Sequence, residues 1–96
     1  MADYRLSKRA AADLRRIMRY SLAEFGVDPA EAYEGRLLQT FDTMAAHPNI
    51  GTDCSGWRRG ARRIAHDSHV IYYRVTKSGI FILRILGADQ DPYRHL

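Results

Sequence analysis

Ninety-six residues with 15 Lys and Arg, 11 Asp and Glu and 46% hydrophobic content describe one small basic globular domain over residues 1–96. That length leaves no room for a second core, and that composition excludes a disordered chain. The lone cysteine, Cys54, cannot form an internal disulfide, and no apolar stretch approaches the ~20 residues of a membrane span. The opening MADYRLSKRA carries no secretory-type apolar run, so a cytoplasmic location without membrane association is expected. The net charge of +4 favours an acidic protein, a nucleic acid, or a complex that contains one.

Tyr4 to Leu6 is a short extended segment, and Ser7 is placed to cap a helix. From Lys8 the residues Ala10, Leu14, Ile17, Met18, Ser21 and Phe25 recur at helical spacing, and Gly26 suits the left-handed residue that ends the helix. Asp28-Pro29-Ala30-Glu31 reads as a second helix start, with Asp28 as cap, Pro29 at the first position and Glu31 completing a capping box. Its apolar stripe runs through Ala30, Tyr33, Leu37, Phe41, Met44 and Ala45 to a stop at His47-Pro48, about 28 Å along the axis. Two residues, Gly26 and Val27, then join the helices as a hairpin.

His47 to Gly60 reads as a glycine-punctuated loop. Three strands follow, Ala61–His66, His69–Val75 and Ile80–Leu86, joined by the short links Asp67-Ser68 and Thr76–Gly79. The expected architecture is α+β in the order β-α-α-β-β-β, a helical hairpin packed on a small, mainly antiparallel sheet. Strict alternation puts Val70 and Tyr72 opposite Ile71, Tyr73 and Val75. In the last strand it puts Ile80 and Ile82 opposite Phe81, Leu83 and Ile85. Both faces of the sheet are thus apolar, while helices cover only one. The second face, with Tyr72 and Ile82, is expected to lie open as a groove for a partner segment.

Arg58, Arg59, Arg62 and Arg63 fall within six residues, beside the single tryptophan, Trp57. Guanidinium groups bind carboxylates bidentately, and tryptophan beside arginine is a common interface anchor. His47, Cys54, His66, His69 and His95 show neither C-x-x-C nor H-x-x-x-H spacing, so no metal is expected.

The opening Tyr4-Arg5-Leu6-Ser7-Lys8-Arg9-Ala10-Ala11-Ala12-Asp13-Leu14 resembles the start of ParE toxins, within the RelE/ParE superfamily of toxin–antitoxin modules. The same likeness extends to His47-Pro48 with Gly51, and to Arg62-Arg63 before Ser68–Val75. It continues through Ile82–Leu86 to Asp91 and Arg94-His95-Leu96. Many members have a histidine directly after the last strand, where this chain has Gly87.

The resemblance implies a non-enzymatic toxin that inhibits DNA gyrase, uses no cofactor or metal, and is neutralised by a ParD-like antitoxin in a hetero-oligomer. Antitoxins of this family are acidic in their toxin-binding segment, which assigns Trp57, Arg58, Arg59, Arg62, Arg63, Tyr72 and Ile82 to the antitoxin. Arg74, Arg84, Tyr93, Arg94 and His95, on the sheet and tail, are assigned to the target. Catalytic residues and direct sequence-specific nucleic-acid binding are not expected. The superfamily's RelE-type members instead cut mRNA in the ribosome, a chemistry needing cations, an acid and a base. Arg63, Arg74, Arg84, Tyr93 and His95 are the groups here that such a reaction would draw on. A degenerate, non-toxic binding module is the third reading.

Overall fold

The computed structural model describes residues 3–95. The elements run β1 (Asp3–Leu6), α1 (Lys8–Phe25), α2 (Val27–Ala46), β2 (Thr52–Asp53), β3 (Ala61–His66), β4 (His69–Val75) and β5 (Gly79–Gly87). A short 3-10 turn, Pro92–His95, follows. The strands form one sheet in the order β1-β5-β4-β3-β2, antiparallel except for the β1–β5 pair, where Asp3 to Leu6 run parallel to Gly79 to Ile82. Two helices on a five-stranded mixed sheet match the α+β architecture expected. The two-residue β2, absent from the sequence reading, forms because Thr52 and Asp53 pair with Arg63 and Arg62 inside what reads as a loop.

Ser7 fixes where β1 becomes α1. Its amide donates to the Ile82 carbonyl at 2.9 Å, and its hydroxyl donates to the Leu83 carbonyl at 2.9 Å while accepting from the Ala10 amide at 3.0 Å. One side chain therefore caps the helix and ties its start to β5.

The helical joint is tighter than expected. Gly26 alone links the helices: its amide donates to Leu22 and its carbonyl accepts from Ala30, with φ 87° and ψ 179°. α2 starts at Val27 with no side-chain cap, so Asp28 is not the N-cap and no capping box forms. Asp28 instead lies in the first turn, where its charge complements the helix dipole. Phe25, counted in the apolar stripe, is 63% exposed, because the joint carries it beyond the sheet.

Two cores sandwich the sheet. Between helices and sheet lie Ala10, Ile17, Leu37, Phe41, Met44, Ile71, Tyr73, Ile80, Ile82 and Ile85. On the opposite face Trp57, Ala61, Tyr72, Leu83 and Leu86 pack with Cys54, Val70 and Phe81. Strict alternation fails in β5. Tyr72 pairs with Arg84 but Tyr73 pairs with Ile82, which leaves Leu83 as the extra residue of a β-bulge. Ile85 therefore joins Ile80 and Ile82 under the helices, and Leu86 joins Leu83 behind them.

This corrects the expectation of an open second face. Ile82 is on the helix side and fully buried, and Tyr72 is only 3% exposed because the loop carrying Trp57 folds over it. The loop is stitched from below by Tyr73, whose hydroxyl donates to the Pro48 carbonyl at 2.8 Å and accepts from the Gly51 amide at 2.9 Å. A Cβ on Gly51 would lie 2.6 Å from that hydroxyl oxygen and 2.7 Å from the Arg63 carbonyl oxygen, so the approach needs glycine.

Candidate interaction surface

β1 ends at Leu6, opposite Ile82, so the outer edge of β5 is unpaired beyond that point. α1 crosses there and supplies Asp13, 1% exposed, in place of a strand. One carboxylate oxygen accepts from the Ile85 amide at 2.9 Å and from Arg84 Nε at 2.8 Å. The other accepts from Arg84 Nη2 at 2.9 Å and Arg16 Nη2 at 2.7 Å. Burial pushes the Asp13 carboxyl up, but the hydrogen bonds from Arg84, the Ile85 amide and Arg16 outweigh it and hold the group below its ordinary range. The hydrogen bond to Asp13 in turn holds Arg84 above its ordinary value.

Arg84 also donates from Nη1 to the His95 carbonyl at 3.0 Å, fastening the tail. A second fastening is Trp57 Nε1, which donates to the Pro92 carbonyl at 2.6 Å. The Trp57 ring sits 4.8 Å from that of Tyr72. Loop, tail and sheet thus close over one another, and Tyr93 projects outward at 58% exposure.

The arginines expected to act together have separate surroundings. Arg62 donates from Nη1 to the Gly51 carbonyl at 2.7 Å and clamps the chain's own loop. Arg63 stands opposite Tyr72 across the β3–β4 ladder and hydrogen-bonds its side chain. Arg58 stacks on Trp57 at 5.2 Å and Arg74 on Phe81 at 4.9 Å, both exposed. Arg59 is exposed on the same loop, as is Arg94 on the tail. Among the described residues, no two of Arg63, Arg74, Arg84, Tyr93 and His95 share a side chain–side chain hydrogen bond.

The other titratable cluster lies at the β3–β4 turn. His66 and His69 face each other across it, and a hydrogen bond of 3.1 Å joins His69 Nδ1 to the Tyr33 hydroxyl of α2. Burial, and then the neighbouring His66, push the His69 imidazole below its ordinary value. Burial pushes the Cys54 thiol up, away from a reactive thiolate. Among the described residues no three of His, Cys, Asp and Glu are grouped to hold a metal, and no helix is long and apolar enough to cross a membrane.

Asp13 is the residue that sequence reasoning missed. Its signal was present: Asp13 lies three residues after Ala10 and four before Ile17, a carboxylate inside an apolar stripe, which calls for a buried partner. The exposed apolar side chains were also misplaced. Several cluster around the helical joint, where Tyr20 and Phe25 meet edge to face at 6.4 Å beside Val27, while on the sheet Val75 at the end of β4 is exposed.

The family model for the ParE toxin of the type II toxin–antitoxin system parDE matches residues 4–92. Toxin ParE1 of Caulobacter vibrioides is 41% identical over 96 residues, all of this chain and 99% of the relative. Toxin ParE1 of Mycobacterium tuberculosis is 39% identical over 94 residues, 97% of this chain and 96% of the relative. A solved chain of the chromosomal ParDE system of P. aeruginosa superposes with a TM-score of 0.76 at 22% identity, covering 93% of this chain and 98% of that one. With a family match over residues 4–92 and relatives near 40% identity across nearly the whole chain, the chain belongs to the ParE toxins of type II toxin–antitoxin systems.

Proposed function

We propose that this toxin arrests growth by binding DNA gyrase, without catalysing a reaction, and that a ParD-like antitoxin neutralises it in a hetero-oligomer. Family membership supports gyrase as target and ParD as partner. The observation that carries the non-catalytic reading is the commitment of Arg84. A phosphoryl-transfer site needs its cation free to meet charge that develops in the transition state. Here both Nε and Nη2 of Arg84 are held by the buried Asp13 carboxylate, and Nη1 by the His95 carbonyl. Arg84 on this reading positions the tail instead of touching a target.

The remaining surface groups divide as the family likeness suggests. Arg58, Arg59 and Arg63, beside Trp57, meet the acidic segment of the antitoxin. Arg74, Tyr93, Arg94 and His95 face the target. Arg62, Tyr72 and Ile82 support these surfaces from within. The test is a gyrase assay with the purified chain, with and without its antitoxin, beside a translation reaction probed for cut mRNA. Loss of supercoiling and accumulation of cleaved DNA, both reversed by the antitoxin, are expected. Intact gyrase activity with cut messenger would establish the ribonuclease reading instead.

A further inference from the structure

A shallow depression of about 300 Å³ opens where the start of α1 meets the second face of β5. Lys8, Arg9, Arg58 and Arg84 line it around a floor of Phe81 and Leu83, and no Asp or Glu does. Arg74, stacked on Phe81, adds a fifth cation at its border. The buried Asp13 carboxylate pairs with Arg84, so that pair adds little net charge. Lys8, Arg58 and Arg74 are exposed, and among the described residues they make no ion pair.

We infer that this basic depression binds the sugar–phosphate backbone of duplex DNA directly and without sequence preference. Lys8, Arg58 and Arg74, three exposed cations converging without an ion-pair partner among the described residues, fit a polyanion, because each phosphate they neutralise releases condensed counterions. The aromatic groups decide which polyanion. Single-strand binders leave aromatic faces open for bases to stack on. Here Trp57 is 6% exposed under the Arg58 guanidinium, and Phe81 lies under Arg74. Both guanidiniums lie over their rings on exposed side chains, where their N–H groups can meet phosphate oxygens. The ligand is therefore recognised by its phosphates, with its bases turned inward. The inference stands apart from gyrase: it concerns the lone chain on DNA.

The test uses the purified chain and a fluorescently labelled DNA duplex, with anisotropy read across a salt series and no gyrase present. Engagement of Lys8, Arg58 and Arg74 gives a slope of log affinity on log salt of about −3. R58Q/R74Q reduces that slope by about 2, and R58K/R74K, which keeps the charges, retains it. R15Q/R19Q, an equal charge loss on exposed arginines of another α1 groove, leaves the slope unchanged. Thermal melts by circular dichroism establish that each variant is folded. The inference is overturned by a flat salt response, by equal losses in both glutamine variants, or by tighter binding of a single strand or of RNA. Because gyrase is absent, either result leaves the gyrase reading to its own assay.

Discussion

Asp13 does at one position what a strand would do over several residues. It accepts the Ile85 amide at the unpaired edge of β5 and neutralises Arg84, which then holds the tail. Removing one partner of a buried pair leaves the other uncompensated, at a cost of ~3–5 kcal/mol. Asp13→Ala is expected near the lower end of that range by urea unfolding, because Arg84 keeps some access to water at 12% side-chain exposure. The pH dependence has a definite sign. The Asp13 carboxyl is lowered in the folded state, so its contribution is complete above an unfolded pKa of about 3.9 and is lost as pH falls through the lower folded value. His69 also lies below its ordinary value, held among Tyr33, His66, Asp67 and Ser68. The unfolded chain then binds more protons below about pH 6.5, so stability should decline there as pH falls. Denaturant midpoints between pH 8 and 5.5 should show that slope in the native chain and a weaker one in His69→Gln.

At the scale of elements, local rules read well where one residue controls a boundary. Ser7 was legible as the cap of α1, and His47-Pro48 as the end of α2, because capping and proline sterics act within a few residues. The start of α2 was not, since the capping-box pattern of Asp28 and Glu31 lost to a joint closed by Gly26 alone. Gly26 holds a backbone conformation open essentially to glycine, and a Cβ there meets nothing within 4 Å. Gly26→Ala should cost ~1–3 kcal/mol from backbone strain alone. Gly35→Ala, exposed inside α2 with equally open space, should stabilise by ~1 kcal/mol through helix propensity. Thermal melts of the two variants should move in opposite directions. The bulge at Leu83 was illegible for a different reason. Both faces of β5 are apolar, so a one-residue slip leaves the hydrophobic pattern unchanged.

The whole molecule closes its second sheet face with its own loop and tail. Trp57 joins these parts by packing on Tyr72 and by its bond to the Pro92 carbonyl. Trp57→Phe should keep most of the packing and lose the hydrogen bond, costing ~1 kcal/mol and loosening the tail. Faster amide exchange near residues 92–95 in that variant would reveal it, and unchanged exchange would show that Arg84 alone anchors the turn. Both apolar faces were visible in the sequence. What covers the second one was not, because Trp57 and Pro92 are 35 residues apart and meet only in the folded chain. The arginine cluster was visible too, yet its division into a loop clamp at Arg62, a tyrosine partner at Arg63 and a stacked cation at Arg58 depends on strand register.

On the proposed function, this ParE toxin acts by occupying its target and not by turnover. Titration of the folded chain against a fixed amount of gyrase, with residual supercoiling read after short and long incubations, tests it most directly. The account predicts inhibition that saturates near one toxin per binding site and does not deepen with time. Complete inactivation at a small fraction of that amount, growing with incubation, would contradict it.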